Sequence, residues 1–344
     1  MRDRLLSAAA GVRAAGLALA LLPGLLVAAD AGAADIPPQS AQSKQQVEEL
    51  AGRWKEHFAD AATPEKRAAA FRSFMAGNPE PARVQIRHMD ADGVEADLIW
   101  PARLHHPLGR RGILYVHGGG FHGGSPRTHR LLAGSLAKAA SSDVLVIDYR
   151  LVPEGRYPAQ IDDIRTAYRW MLENGYESGN IILAGDGTGA NLAIEAVLRQ
   201  KRAGRQLPAA VIALSPVTDL SASGASMTSN AATDPVITKT GIEALAKPYL
   251  GATAPDNPDV SPLFADLSGL PPLFLQVSDS EALLDDTLRL ADKAKAAGVE
   301  VTLEVWPGLI HGWQLFPHLL ADADSSNQRV AEFAMRHFAD TPQQ

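Results

Sequence analysis

The chain has 344 residues, of which 46% are hydrophobic and 21% are charged, so it can bury a large core. Its formal net charge of −7 argues against nucleic-acid binding, which requires a basic surface. The absence of cysteine excludes a cysteine nucleophile and thiolate metal sites, no histidine spacing indicates a metal, and no motif predicts a cofactor.

Residues 1–34 have the order of a secretory signal peptide. Arginines come first, an apolar run follows, and a stretch of small residues ends at Ala34. We expect cleavage within 29–34 and a periplasmic or secreted mature protein without a stable membrane span. A membrane anchor is the alternative, but Pro23-Gly24 interrupts an apolar run shorter than the roughly 20 residues of a span.

Residues 35–82 are predicted to be a linker and two cap helices. The linker is rich in Pro, Gln and Ser. Over residues 47–74 the apolar side chains recur at spacings of three and four, with a break near Thr63-Pro64, which predicts two amphipathic helices. Their aromatic side chains either pack in a core or line a pocket as part of a lid.

Residues 83–340 alternate between strand-like and helical patterns. Strands are predicted at 84–89, 94–100, 113–117, 144–148, 181–184, 210–214, 273–277 and 299–306, and the later helices at 127–140, 159–173, 190–202, 282–297 and 327–338. This order predicts an α/β fold with an eight-stranded, mostly parallel sheet and helices on both faces. Ligands of such sheets bind beyond the carboxyl ends of the strands.

One segment, about 218–261, interrupts the alternation. It is rich in Ser, Thr, Ala and Pro, contains a short helical pattern at 242–250, and is too long for an ordinary loop. We predict a cap insertion that covers the carboxyl edge of the sheet together with the helices of 35–82.

Two glycine-rich turns follow predicted strands. The sequence His117-Gly-Gly-Gly-Phe121 frees backbone N–H groups to turn into a cavity, as a developing oxyanion requires. The second turn, Gly185-x-Gly187-x-Gly189, has the shape of a strand–turn–helix elbow that exposes its central residue. Taken alone, three glycines after a strand also suit a phosphate-binding loop.

Further segments resolve that ambiguity. The chain resembles the hormone-sensitive-lipase family of carboxylesterases over roughly residues 84–338, which implies the α/β-hydrolase fold. The resemblance rests on the glycine motif at 117–121 and on Asp-Tyr-Arg-Leu-Val-Pro-Glu at 148–154, Tyr-Pro-Ala at 157–159, Asp-Asp at 162–163, Ser-Pro-Val-Thr-Asp-Leu at 215–220, Ser-Pro-Leu at 261–263 and Pro-Pro at 271–272.

The resemblance implies a triad. Gly185-Asp-Gly-Thr-Gly-Ala190 stands where the family has Gly-Asp-Ser-Ala-Gly-Gly, so Gly187 occupies the position of the nucleophilic serine. Glu281 matches the first residue of the family's acid motif, with Asp279 and Asp285 as rivals, and His311 matches the catalytic histidine. The chain order of nucleophile, acid and base is that of α/β-hydrolases.

The same resemblance implies that the backbone N–H groups of Gly119, Gly120 and Thr188 form the oxyanion hole. Thr188 itself is not expected to replace the nucleophile, because the residue after an elbow tip points its side chain away from the cleft. Asp186 is expected to be structural. Pairing of two copies through the last strand and its helix is also implied. Surface positions are expected for His57, His88, His105, His106, His129, His318 and His337.

Three interpretations account for the missing serine. The first is an esterase for short or medium acyl esters that the glycine inactivates, since the surrounding motifs are intact. The second is a non-catalytic protein that binds an ester or its acid product in the same cleft. The third is a hydrolase in which His311 activates a water, because glycine leaves space for one.

Overall fold

The computed structural model describes residues 36–103 and 111–339. The predicted signal peptide, its cleavage region, His105, His106 and the end of the predicted hydrolase domain lie outside the described residues. In the part of the chain that is described, no helix is long and apolar enough to cross a membrane.

Eight strands form one sheet. They are β1 (Val84–Asp90), β2 (Glu95–Pro101), β3 (Gly112–Val116), β4 (Asp143–Ile147), β5 (Ile181–Asp186), β6 (Ala210–Leu214), β7 (Leu273–Ser278) and β8 (Val301–Trp306). Their order is β1-β2-β4-β3-β5-β6-β7-β8, and β2 runs antiparallel to both of its neighbours while the other pairs are parallel. The predicted sheet is therefore confirmed. Pairing of two copies at the edge strand β8 stays a prediction.

Helices cover both faces of the sheet. They are α1 (Ala41–His57), α2 (Pro64–Met75), α3 (Pro126–Ala140), α4 (Ala159–Glu173), α5 (Gly187–Arg202), α6 (Ser226–Ser229), α7 (Lys239–Leu250), α8 (Leu284–Ala296) and α9 (Ala321–His337). Along β3, Leu114 belongs to the apolar core under α4, α5 and α8, while its neighbour Ile113 belongs to the core under α3 and α9. This alternation follows from the two-residue period of a strand.

The break between the first two helices lies where the sequence predicts it. Thr63 caps α2, because its Oγ1 accepts a hydrogen bond from the Lys66 N–H at 3.3 Å, and Pro64 occupies the first helical position. Proline is suited to that position since its missing N–H would have no helical partner there. The pair thus separates α1 from α2.

The segment between β6 and β7 contains α6 and α7, in the region for which an insertion is predicted. It contacts α2, because Nη2 of Arg67 donates a hydrogen bond to the Val236 carbonyl at 3.2 Å. Residues of both parts line one pocket together with Gly119 and Gly187, which follow β3 and β5, and the predicted cap stays a prediction.

One carboxyl group in the core gives a stability prediction. Glu195 on α5 is 1% exposed, neither of its oxygens has a hydrogen-bond partner among the described residues, and burial raises its pKa from 4.5 to about 8. The folded state therefore holds a proton that the unfolded state loses, so stability falls as pH rises from about 4.5 to about 8.

We expect Glu195→Gln to raise the Tm by several degrees at pH 9 and to leave it unchanged at pH 4. Calorimetric scans at both pH values measure this, with the exposed Glu177→Gln as control. A Tm difference of equal size at pH 4 and pH 9 would contradict the role of the charge.

Candidate active site

The turn between β5 and α5 places a backbone tip at the carboxyl edge of the sheet. β5 ends at Asp186, and α5 begins at Gly187, whose φ of 52° lies in the left-handed region. A Cβ on Gly189 would collide with the Val116 carbonyl, so α5 can approach β3 this closely only with glycine there. The elbow therefore has the geometry that its glycines predict.

A histidine ring faces the tip of this elbow. A Cβ at position 187 would lie 3.3 Å from Nε2 of His311. His311 follows β8, and its side chain is 13% exposed. The chain therefore places an imidazole nitrogen next to the elbow tip, at which Gly187 supplies no side chain.

Glu281 holds the other nitrogen of that ring. Its Oε2 lies 2.7 Å from Nδ1 of His311, and the Glu281 side chain is fully buried. Its Oε1 accepts hydrogen bonds from the Ser278 N–H at 2.8 Å and from the Ser215 hydroxyl at 2.9 Å. Because both oxygens have partners, the carboxylate has one fixed orientation toward the imidazole.

The two rival carboxylates bond elsewhere. Asp279 accepts from the Gly308 N–H at 2.7 Å, and Asp285 accepts from the Ser226 N–H at 2.9 Å. The structure thus brings Gly187, Glu281 and His311 together and gives Asp279 and Asp285 structural bonds.

The surroundings favour a protonated His311. Burial acts to lower the pKa of His311, but the hydrogen bond and charge of Glu281 outweigh it, and the charges of Asp234 and Asp186 act in the same direction as Glu281. The net result is a pKa raised above the ordinary value. An imidazolium stabilised in this way suits a group that accepts a proton during a reaction.

The glycine loop after β3 lies across from the elbow. Gly119 and Gly120 have φ values of 123° and 69°, which turn the backbone toward the elbow as a side chain would not allow. The Gly118 N–H donates to Asp186 Oδ1 at 3.0 Å, which fixes the loop to the end of β5. The glycine loop is therefore anchored to the strand that ends at the elbow.

The prediction that the Thr188 side chain points away from the cleft is wrong. Its hydroxyl does not point away from the cleft, because Oγ1 accepts a hydrogen bond from the Gly120 N–H at 3.0 Å and Thr188 lines the pocket. The family's alanine at this position has no such acceptor. One of the three expected oxyanion donors is therefore engaged by a side chain of the elbow itself.

His129 also differs from its prediction, because it is fully buried and not on the surface. Its Nε2 lies 3.2 Å from Oδ1 of Asp186, which also accepts from the Tyr115 hydroxyl at 2.9 Å. Burial acts to raise the pKa of Asp186, but these partners and the Gly118 N–H outweigh it and lower the pKa to about 2. Asp186 is thus a charged structural anchor under the glycine loop.

Asp234 supports the site through hydrogen bonds that no motif in the sequence indicates. Its Oδ1 accepts from the N–H groups of Val236 and Ile237, and its Oδ2 accepts from the N–H of Ala282, the residue after Glu281. It therefore ties the insertion to the loop that carries Glu281. The one sequence signal is an Asp-Pro pair, which is typical of a turn and does not indicate a long-range partner.

A pocket connects these groups to the cap. Its polar end contains Gly119, Gly120, Gly187, Thr188 and His311, and its walls are mainly apolar. The walls come from α1, α2, the insertion and the loop after His311: Trp54, Phe58, Ala68, Phe71, Val217, Val236, Ile237, Ile242, Leu245, Leu315 and Phe316. The aromatic residues of the first helices thus line a pocket as well as pack. No cluster of potential metal ligands occurs among the described residues.

Comparisons with known proteins agree with this geometry. The family model described as alpha/beta hydrolase fold matches residues 113–315. An acetyl-hydrolase of Streptomyces hygroscopicus is 42% identical over 212 residues, which cover 62% of this chain and 71% of that protein. An esterase of Acinetobacter venetianus is 37% identical over 257 residues, which cover 74% of this chain and 84% of that protein.

Solved structures extend the match to most of the fold. An esterase from the bacterial hormone-sensitive lipase family is 37% identical with a TM-score of 0.81, covering 88% of this chain and 100% of that one. The esterase EstE5, from a crystal soaked with p-nitrophenyl butyrate, is 33% identical with a TM-score of 0.79, covering 86% and 99%. The chain belongs to the α/β-hydrolase fold family and, within it, to the carboxylesterases of the hormone-sensitive-lipase type.

Proposed function

We propose that this is the active site of a carboxylic ester hydrolase for short or medium acyl esters, in which glycine at position 187 stands in place of the nucleophilic serine. The observation that carries the proposal is the approach of His311 Nε2 to within 3.3 Å of the point where a Cβ at position 187 would lie. A serine hydroxyl at that tip would lie within reach of the imidazole. The base His311, the acid Glu281 and the glycine loop are therefore arranged around a position that lacks its nucleophile.

In a complete site, the imidazole of His311 would take the proton of the serine hydroxyl. Glu281 would hold the ring in the tautomer that carries a proton on Nδ1 and would stabilise the imidazolium. The N–H groups of Gly119 and Thr188 would stabilise the oxyanion of the tetrahedral intermediate, and that of Gly120 would join them only when the Thr188 hydroxyl releases it. With glycine at the tip no acyl-enzyme can form, and the chain binds an ester or its acid product in the pocket.

A second candidate is hydrolysis by a water that His311 activates. It is supported by the absence of a side chain between Nε2 and the pocket. Because the pKa of His311 is raised, this route requires a pH high enough to deprotonate the imidazole, and its rate would rise with pH without a burst. Binding of a carboxylate product would weaken over the same pH range, since the imidazolium charge is lost.

The relatives support esters as the ligand class. Those most similar to this chain include an acetyl-hydrolase and an esterase, and EstE5 was soaked with a butyrate ester. The apolar walls of the pocket suit the acyl chain of such a compound.

An organophosphonate ester probe tests the proposal. We expect it to label the Gly187→Ser protein stoichiometrically and to leave this protein unlabelled, because phosphonylation requires a nucleophile at the elbow tip. Intact-mass spectrometry measures the adduct.

Thr188→Ala, in the chain with Gly187, is the matched control for this experiment. Labelling of the present chain that disappears in Thr188→Ala would show that the threonine hydroxyl is the nucleophile. The proposal would then be wrong, since the site would be complete.

A further inference from the structure

Arg67 places a cation in the wall of the same pocket that contains Gly187 and His311. It lies in α2, where its Nη2 donates to the Val236 carbonyl at 3.2 Å and its Cζ lies 5.9 Å from the centre of the Phe58 ring. Val236 and Phe58 line the pocket as well. The guanidinium group is thus held between the two walls that the cap contributes.

This charge has no counter-ion among the described residues. The other charged groups of the pocket are satisfied, since His311 is paired with Glu281 and Asp186 accepts from Tyr115 and Gly118. Burial lowers the pKa of Arg67, and no carboxylate offsets that effect. A guanidinium has five N–H donors, and the bond to Val236 uses one of them.

A purely structural role does not account for this arrangement. A link between α2 and the insertion needs a single donor, which a neutral side chain could supply. A half-buried cation without a counter-ion costs solvation free energy in any state without a bound anion. Arg67 lines the pocket, and its charge has no carboxylate partner among the described residues.

We propose that Arg67 is an anion subsite, and that the ligand is a half-ester of a short dicarboxylic acid whose free carboxylate binds Arg67. This inference rests on the ester-binding function proposed above. The ester group would lie at Gly119, Gly187 and His311, and the carboxylate at the opposite wall. Planar guanidinium groups bind carboxylates through two parallel N–H donors, which fits a carboxylate better than a neutral ester.

The apolar lining of the pocket favours a methylene spacer. Phe71, Ile237 and Leu245 also line the pocket and offer no charged group. An alkyl chain gains free energy from burial against such side chains, whereas a polar linker would lose hydrogen bonds to water. The ligand class is therefore an ester and a carboxylate joined by a short alkyl chain.

Calorimetric titration of this protein with monomethyl glutarate and dimethyl glutarate tests the inference, because the two compounds differ only in the second carboxyl group. We expect the half-ester to bind at least about tenfold more tightly, as charge-assisted hydrogen bonds do. Arg67→Met should remove this preference, so that the half-ester and the dimethyl ester bind with equal affinity. Arg67→Lys should keep part of the preference for the half-ester, and higher salt should reduce that preference in the unchanged protein.

The outcomes separate this inference from the proposed function. Equal binding of both compounds to this protein and to Arg67→Met would overturn the anion subsite and leave ester binding intact. Binding of neither compound would contradict the ester-binding function and the subsite with it. If Arg67→Met does not fold, as seen by circular dichroism, the Arg67→Lys variant and the salt dependence still decide the result.

Discussion

Replacing Gly187 with serine is expected to raise the turnover of p-nitrophenyl butyrate by at least about a thousand-fold, since loss of a triad serine costs on the order of a million-fold. The reason is geometric: Glu281 already orients His311 at 2.7 Å, and the ring faces the tip of the elbow. Initial rates on p-nitrophenyl esters of increasing acyl length measure the gain and the preferred chain.

Gly187→Ala is the matched control for this gain. A Cβ at a φ of 52° is strained, so serine and alanine should both lower the free energy of unfolding by about 1 to 3 kcal/mol. Only the serine variant should hydrolyse esters. Equal activity of the two variants, or no gain from serine, would show that the elbow is not the reacting position.

Thr188 is expected to limit the activity of the single variant. Its hydroxyl accepts a hydrogen bond from the Gly120 N–H at 3.0 Å, which takes that donor away from the oxyanion. Loss of one oxyanion donor costs about 100-fold to 1000-fold in turnover. Gly187→Ser/Thr188→Ala should therefore exceed Gly187→Ser by up to about 100-fold in kcat, while Thr188→Ala alone should gain nothing. An equal kcat in the single and double serine variants would mean that the threonine leaves the donor free.

The fold could be predicted from the sequence because the patterns that specify its strands and helices each lie within a short segment. The β-branched runs around Ile113, Val144 and Ile181 are long enough and apolar enough to specify buried strands, and the helices between them have a regular apolar period. The turns that carry the site have glycines whose steric need is also local. Gly187, for example, has a φ of 52°, a left-handed conformation that favours glycine whatever its partners.

The parts that the sequence did not predict depend on side-chain partners distant in the chain. His129 resembles a surface residue of an amphipathic helix, and its burial follows from the packing of α3 against the sheet beside Asp186. The direction of the Thr188 hydroxyl depends on the Gly120 N–H, which comes from another strand's loop. Asp234 likewise bonds to Ala282, in a part of the chain that no periodic pattern connects to it.

In the Gly187→Ser background, Glu281→Gln is expected to lower kcat by about 10⁴-fold, the cost of replacing a triad carboxylate by an amide. The carboxylate accepts a hydrogen bond from Nδ1 of His311, and this hydrogen bond, followed by the carboxylate charge, makes the largest contribution that raises the pKa of the imidazole. An amide of the same size supplies neither the charge nor a fixed tautomer. Loss of the Glu281 carboxylate should also shift the acidic limb of the pH profile of kcat/KM to lower pH, because the pKa of the His311 imidazole falls.

Asp285→Asn is the control, since Asp285 is one of the two rival carboxylates and accepts a hydrogen bond from the Ser226 N–H at 2.9 Å. It should change kcat by less than about tenfold, because an asparagine oxygen can still accept that bond. Measurement of kcat and its pH profile in both variants distinguishes the two residues. Equal losses, or a larger loss for Asp285→Asn, would mean that the short contact between Glu281 and His311 does not supply the acid of the triad.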